Sequence, residues 1–374
     1  MRPADFLRAG VLSVWQGKGP ISTALLPLAW ITSLVVAHRK RRALTQPAAP
    51  SALPTIVVGN LVVGGTGKTP VVIALTRTLR ALGWTPGIVS RGYGVSVGPT
   101  PRTGQGALQA DQFGDEPPLI ARITGAPVAV HPRRALAREA LTQQFPDVDV
   151  VISDDGLQHL ALSRDLEIVV QDARGVGNGR LLPAGPLREP AAKLAEVDFI
   201  VDNGGAFNGG GNELAAGDAR RGHAPDNGSG LAGAQAETAG RPERISMQLV
   251  PVSAEHLSSG ARMAWPDWVA RHRDKPLAAV AAIGRPERFF STLRDAGLRL
   301  ESALALPDHD AYARSPFAAL GQDLIVITAK DAVKCGRFAD PRVWVVHVDA
   351  QFSDPSWLDR VATRLRSVKP AQRH

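Results

Sequence analysis

Apolar positions in this chain of 374 residues fall into short unbroken runs, separated by longer stretches with helical spacing. TIVV (55–58), PGIVS (86–90), APVAV (126–130), VDVVIS (148–153), LEIVVQD (166–172) and VDFIVD (197–202) come first. PLAAVAAI (276–283), DLIVIT (323–328) and VWVVHV (343–348) follow. Continuous rather than alternating apolar runs indicate strands buried on both faces, so the pattern predicts an α/β fold on a doubly wound, mainly parallel sheet. After the first run, residues 71–82 carry apolar side chains at helical spacing, with Pro70 in the first turn and Gly83 as the stop. Residues 203–244 are rich in Gly and Ala without periodicity, as expected of a flexible insertion. The chain thus divides into an N-terminal segment (1–43), a core (44–202), the insertion (203–244) and a second, smaller α/β lobe (245–374) that includes IGRPERFFSTLRDAGL.

The first strand and helix are joined by GNLVVGGTGKTP (59–70). A glycine turn that opens a helix aims backbone N–H groups at one point, where a polyphosphate binds well. Gly64, Gly65 and Gly67, with Thr66 between them, allow close approach; Lys68 can reach β and γ oxygens, and the Thr69 hydroxyl can bind Mg²⁺. These features predict a core of the P-loop NTPase type. Val62 stands where the standard loop has its first glycine. The glycine spacing instead resembles the variant loop of partition-type and metal-insertion ATPases, although Val63 replaces their additional lysine. A plain glycine-rich turn is the simpler alternative.

Nucleotide-bound Mg²⁺ also needs a carboxylate at the end of a nearby strand, and Asp154 and Asp155 directly follow the run at 148–153. Other polar segments past strand ends are SRGYG (90–94), GDEP (114–117) and LLPAGPLREP (181–190). Asp115 or Glu116 offers a general base toward a substrate hydroxyl, and Arg188 or Glu189 a contact to phosphate or metal. PDHDAY (307–312) sets His309 between two aspartates, a candidate acid/base group or a surface turn.

Composition narrows the partners. Forty-three basic and 35 acidic residues give a net charge of +8, which favours anionic ligands or surfaces. Aromatics, at 5%, are too sparse and scattered for a base-stacking platform, so nucleic acid is not expected. The single cysteine, Cys335, excludes an internal disulfide and fits a reducing compartment. ISTALLPLAWITSLVVA (21–37) is uncharged and is followed by HRKRR (38–42). With Pro27 inside it and fewer than the ~20 apolar residues of a spanning helix, this segment reads as a membrane-interface helix held by anionic headgroups. A core-covering helix with a solvated basic end is the alternative.

VGNLVVGGTGKTP, SRGYG, GDEP, SDDGLQH, GNGRLLPAGPLREP, IGRPERFF, PDHDAY and TAKDAVK, in that order, closely resemble the tetraacyldisaccharide 4′-kinase (lipid A 4′-kinase) family of Gram-negative bacteria. The resemblance runs to about residue 335, interrupted by the insertion. It implies transfer of the ATP γ-phosphate, with Mg²⁺, to the 4′-hydroxyl of a tetraacyl disaccharide 1-phosphate, giving lipid IVA. It further implies work at the cytoplasmic face of the inner membrane, peripherally or on a single N-terminal anchor, with no obligate protein partner. Carried over by position, Gly64, Gly65, Thr66, Gly67, Lys68 and Thr69 bind ATP; Asp115 is the catalytic aspartate and His309 its partner. Thr69, Asp154 and Asp155 face the metal with Glu189 nearby, while Asn60, Arg91, Gln158, His159 and Arg188 are substrate contacts. Asp310 departs from the pattern, since the family often has a second histidine there. A nucleotide-switch ATPase or GTPase is the rival reading; against it stand Val63 and TAKD (328–331), which only approximates the guanine-reading N-K-x-D.

Overall fold

The computed structural model describes residues 10, 13–46, 51, 53–204 and 241–368. Nearly all of the expected insertion (205–240) lies outside the described residues. The chain opens with helices α1 (Pro20–Ala24) and α2 (Leu26–Thr45), then β1 (Thr55–Gly59), α3 (Lys68–Ala81), β2 (Pro86–Ser90) and β3 (Arg102–Gly104). Helices α4 (Ala110–Phe113) and α5 (Glu116–Thr124), β4 (Val128–Val130), α6 (Arg134–Gln144), β5 (Val150–Asp154), β6 (Leu166–Asp172) and β7 (Phe199–Asn203) complete the first half. The second half has β8 (Glu243–His256), β9 (Arg262–Ala264), α7 (Trp265–His272), β10 (Leu277–Ala281), α8 (Pro286–Asp295) and β11 (Leu300–Ala305). It ends with β12 (Ile325–Thr328), α9 (Ala329–Cys335), β13 (Val343–Phe352) and α10 (Trp357–Val368).

The strands form one mixed, mostly parallel sheet in the order β11-β10-β12-β13-β8-β7-β6-β1-β5-β2-β4-β3, with β9 on β8. All nine apolar runs fall on strands. Strand β1 shows why: Ile56 and Val58 pack with Val71, Leu75 and Leu79 of α3, whereas Val57 packs on the other face with Ala137 and Leu141 of α6. Strand β10 repeats this, with Ala279 against Trp268 and Phe290, and Val280 against Phe317 and Cys335. Strands β3, β8, β9 and β11 have no such run, because each keeps part of its surface in water.

Register places the site. Asn203, at the carboxyl end of β7, pairs with Met247 of β8. Thr328, at the carboxyl end of β12, pairs with Val346 of β13, which pairs with Ala254 of β8. Strands β8 and β13 are antiparallel, so the two half-sheets run in opposite directions. Offset along this ribbon by the seven residues from 247 to 254, about 23 Å at ~3.3 Å per residue, their carboxyl edges face each other. A cleft of about 870 Å³ lies between them, with Leu249, Val348 and Phe352 of the ribbon among its walls.

The apolar N-terminal run is not one helix. It breaks at Leu25, and Pro27 sits in the first turn of α2, where its missing N–H costs nothing. No described helix is long and apolar enough to cross a membrane. Helix α1 is tied to the loop after β6: Asn178 Nδ2 donates to Ser22 Oγ (3.1 Å) and to the carbonyls of Gly17 and Ala184 (both 3.0 Å). Ser22 Oγ in turn donates to the Ala184 carbonyl at 2.6 Å.

Helix α10 returns from the second half to the core of the first. Trp357, Leu358, Val361 and Leu365 join the cluster of Ile56, Leu75 and Phe199. Trp357 is fully buried, with ring centroids 5.0 Å from Phe352 and 5.8 Å from Phe199. Trp357→Ala leaves a large cavity there, and urea denaturation is expected to show a loss of about 3–5 kcal/mol.

Candidate functional site

The loop after β1 is held from below by buried amides. Asn60 Nδ2 donates to the carbonyls of Val62 (2.8 Å) and Gly64 (3.0 Å), and Asn203 Nδ2 to that of Thr66 (2.8 Å). Gly67 has φ +96°, and a Cβ there would lie 2.2 Å from Asn203 Nδ2. Only glycine fits this turn into α3. Val62 is buried and bridges Leu187, with the Val63 N–H donating to the Pro186 carbonyl at 3.0 Å. The residue that breaks the standard glycine pattern is thus a packing residue that docks the loop on the 181–190 segment.

From the loop, Lys68 extends to Asp155, with Nζ 3.5 Å from Oδ1. Asp155 also meets Arg188 at 3.2 Å. Burial opposes its charge, but Lys68 and Arg188 outweigh burial and hold its carboxyl below the usual range. Its neighbour differs: Asp154 is fully buried and pushed up to about 8, by burial first and then by the charges of Glu116 and Asp155. Ser90 Oγ lies 3.5 Å from Asp154 Oδ2, while Oδ1 has no hydrogen-bond partner among the described residues. Gln158 Nε2 donates to the Asn60 carbonyl (3.1 Å) and to Glu189 Oε1 (2.9 Å), and Arg188 donates to Gln158 Oε1 (3.3 Å). Asn60, Asp155, Gln158, Arg188 and Glu189 therefore form one connected network beside the loop. His159 is half-buried behind it, Arg91 is exposed, and Arg91 adds positive charge near Arg134.

The second carboxyl edge supplies the rest. His309 Nδ1 lies 2.7 Å from Asp115 Oδ2, joining two segments 194 residues apart. His309 adopts a left-handed φ of 64°, and its ring lies 4.6 Å from that of Tyr93. Lys334 Nζ is 2.7 Å from the same Asp115 oxygen, and Lys330 Nζ is 3.1 Å from Glu116 Oε1. Burial opposes ionisation of Asp115, yet His309 and Lys334 keep its carboxyl below the usual range. Arg285 reaches Asp172 at 3.4 Å, and Arg288 donates to Asn203 Oδ1 at 3.3 Å, so the IGRPERFF segment contacts the groups that brace the loop. Asp172 acts on the loop through Arg174, which donates to the Val63 carbonyl at 3.0 Å. Asn203, Arg174, Lys330 and Lys334 did not emerge as site residues from the sequence. The two lysines did carry a signal: they stand four apart immediately after an apolar strand.

A glycine loop at a helix N-terminus with a carboxylate–imidazole pair beside the same cleft suits the transfer of a phosphoryl group to a hydroxyl, which puts this α/β protein among the phosphotransferases. The model of the tetraacyldisaccharide-1-P 4′-kinase family matches residues 21–366, and the chain belongs to that family. It is 53% identical over 358 residues to the tetraacyldisaccharide 4′-kinase of Bordetella parapertussis, covering 95% of this chain and 96% of the relative. It is 39% identical over 364 residues to that of Vibrio cholerae, covering 95% and 96%. In fold it is similar to the "apo" form of LpxK from Aquifex aeolicus in complex with ATP. The TM-score is 0.71 at 23% identity, over 92% of this chain and 99% of that one.

Burial, with the charges of Arg134 and Arg164, pushes His159 down to about 4. The unfolded chain takes up this proton near 6.5, so His159 costs stability progressively as pH falls from about 6.5 toward 4. His159→Gln is therefore expected to shrink the drop in thermal midpoint between pH 7 and pH 5, as read by calorimetry.

Proposed function

We propose that this protein transfers the γ-phosphoryl group of ATP to the 4′-hydroxyl of a tetraacyl disaccharide 1-phosphate, giving lipid IVA. The observation that carries the reading is the 2.7 Å contact between Asp115 and His309, made beside the cleft that Lys68, Thr69 and Glu116 line. Residues Gly64 to Thr69 form a phosphate-binding loop of the P-loop type, with backbone N–H groups and Lys68 on the phosphates. The apolar wall of Ile73, Leu249 and Val348 beyond Thr69 offers the adenine a dry surface. Asp115 takes the proton of the sugar hydroxyl, and His309 orients Asp115 through the hydrogen bond at Nδ1. Arg91, Gln158 and Arg188 contact the disaccharide phosphate side; Asn60, expected as a substrate contact, is fully buried and spends its amide on the loop, and His159 sits behind these residues.

The residues present fit Mg²⁺. Asp154 Oδ1, buried and without a hydrogen-bond partner among the described residues, is an available oxygen ligand. The Thr69 hydroxyl and Asp155 complete the protein's share, and Glu189 supports them through Gln158. Among the described residues there is no group of three or more His, Cys, Asp or Glu that could hold a metal alone. Phosphate oxygens and water would supply the remaining positions, as Mg²⁺ usually requires. The ion would neutralise charge on the transferring phosphoryl group.

The substrate's acyl chains account for the N-terminus. Helices α1 and α2 expose Ile21, Leu28, Trp30, Ile31, Leu34 and Val35 just before the basic cluster at 38–42. An apolar face with cations beside it suits an anionic bilayer surface, so the enzyme works as a peripheral protein at the cytoplasmic face of the inner membrane.

Magnesium-dependent ³²P transfer from ATP to purified tetraacyl disaccharide 1-phosphate in micelles tests the reaction; ATP hydrolysis without lipid labelling would refute it. In that assay Lys68→Ala and Asp115→Ala are each expected to lower turnover by roughly 10²- to 10⁴-fold, with circular dichroism unchanged. Trp30→Glu with Ile31→Glu is expected to reduce sedimentation with anionic vesicles while folding is retained; undiminished binding would exclude this face.

A further inference from the structure

We propose that Lys334, assisted by Lys330 one turn earlier on α9, is a positioning residue that clasps the turn before α5 and sets Asp115 against His309. The inference rests on Asp115 being the group that takes the hydroxyl proton. Asp115 and Glu116 belong to the first half-sheet, whereas His309 and both lysines belong to the second. Lys330 and Lys334, spaced i,i+4, project from one face of α9 and meet two successive carboxylates of the first half, at 3.1 Å and 2.7 Å. Lys334 Nζ also donates to the Asp310 carbonyl at 2.8 Å, so one ammonium group joins the Asp115 turn to the loop that carries His309.

Both ends of this clasp are fixed. Thr328 Oγ1 caps α9 by accepting from the Asp331 N–H (3.2 Å), and the buried Asp331 carboxylate accepts from the Ala282 N–H at the end of β10 (3.2 Å). On the other side, a Cβ on Gly114 would lie 2.5 Å from the Tyr93 carbonyl oxygen, so the turn is packed directly on the SRGYG segment. The Lys334–Asp115 pair is largely withdrawn from water, with side chains 9% and 13% exposed. Removing one partner of such a pair leaves the other charge uncompensated, which makes the geometry stringent. The groups facing Asp115 are His309 and Lys334, with Asp308 3.8 Å from the far imidazole nitrogen and Glu116 adjacent in sequence. Lys334 is absent from the cleft lining and Lys330 is part of it, so positioning by Lys334 is separable from nucleotide contact.

The test compares Lys334→Met, Lys334→Arg, Lys330→Met and Asp115→Asn in the full-length enzyme. It reads kcat, KM for ATP, the pH profile of kcat/KM and the ATP-induced shift in thermal midpoint. For Lys334→Met, kcat is expected to fall roughly 10- to 100-fold, the effect of displacing a reacting group by about 1 Å, with KM for ATP unchanged. Its acid limb moves to higher pH, because Asp115 loses the cation that favours its charged form, and Lys334→Arg restores part of both. Lys330→Met lowers kcat less. A purely structural lysine would leave the acid limb in place. Wild-type kcat with an unmoved acid limb in Lys334→Met, alongside an inactive Asp115→Asn, overturns the clasp alone. A fully active Asp115→Asn overturns the base assignment and the clasp with it. If Lys334→Met does not fold, Lys334→Gln, which keeps a donor and drops the charge, is read against the same outcomes.

Discussion

The register between β8 and β13 is the constraint on which the candidate site depends. Parallel half-sheets present their loops at carboxyl edges, and two halves running in opposite directions would ordinarily present them on opposite sides. The stagger along the antiparallel ribbon turns that liability into a facing arrangement: the edge ending at Asn203 looks across to the edge ending at Thr328. Everything that crosses the cleft follows from it, including the Asp115–His309 contact and the approach of Arg285 to Asp172. A slip of one residue would reverse the faces of the ribbon and break these contacts together.

Adjacent carboxylates then acquire different characters from where they point. Asp154 ends a fully buried strand and faces Glu116, so it gives up its charge easily; Asp155, one residue on with φ 52°, swings toward Lys68 and Arg188 and keeps it. Glu116 likewise overcomes burial through Lys330 and Lys68. Lys68 thus serves both acidic groups, and an arriving phosphate would compete with them for its charge.

Much of this was legible in sequence where a residue's role is local. Buried strands announce themselves as unbroken apolar runs, and the glycine loop and acidic pair each stand past such a strand end; GDEP, expected past a strand, instead joins α4 to α5, and PDHDAY follows β11, a strand with no apolar run to announce it. What sequence hides is long-range pairing. Strand β8 carries ERISMQLVPVSAEH, an alternating and half-exposed pattern that lies beside the insertion, so the strand that aligns both half-sheets left the weakest trace. Asn203 looks like a strand-end turn residue until Gly67 comes to lie against it. Val62 looks like a defect in a motif until its burial against Leu187 shows what it packs on.

Helix α10 bears on the order in which the chain acquires structure. The core around β1 and α3 is translated early, yet part of its apolar surface is covered only by Trp357, Val361 and Leu365. During synthesis that surface waits for the residues between Ala81 and Trp357, the whole second half among them, at roughly 5–20 residues per second. The last helix to be made thus closes a core whose other members are made first, which ties the two halves into one cooperative unit.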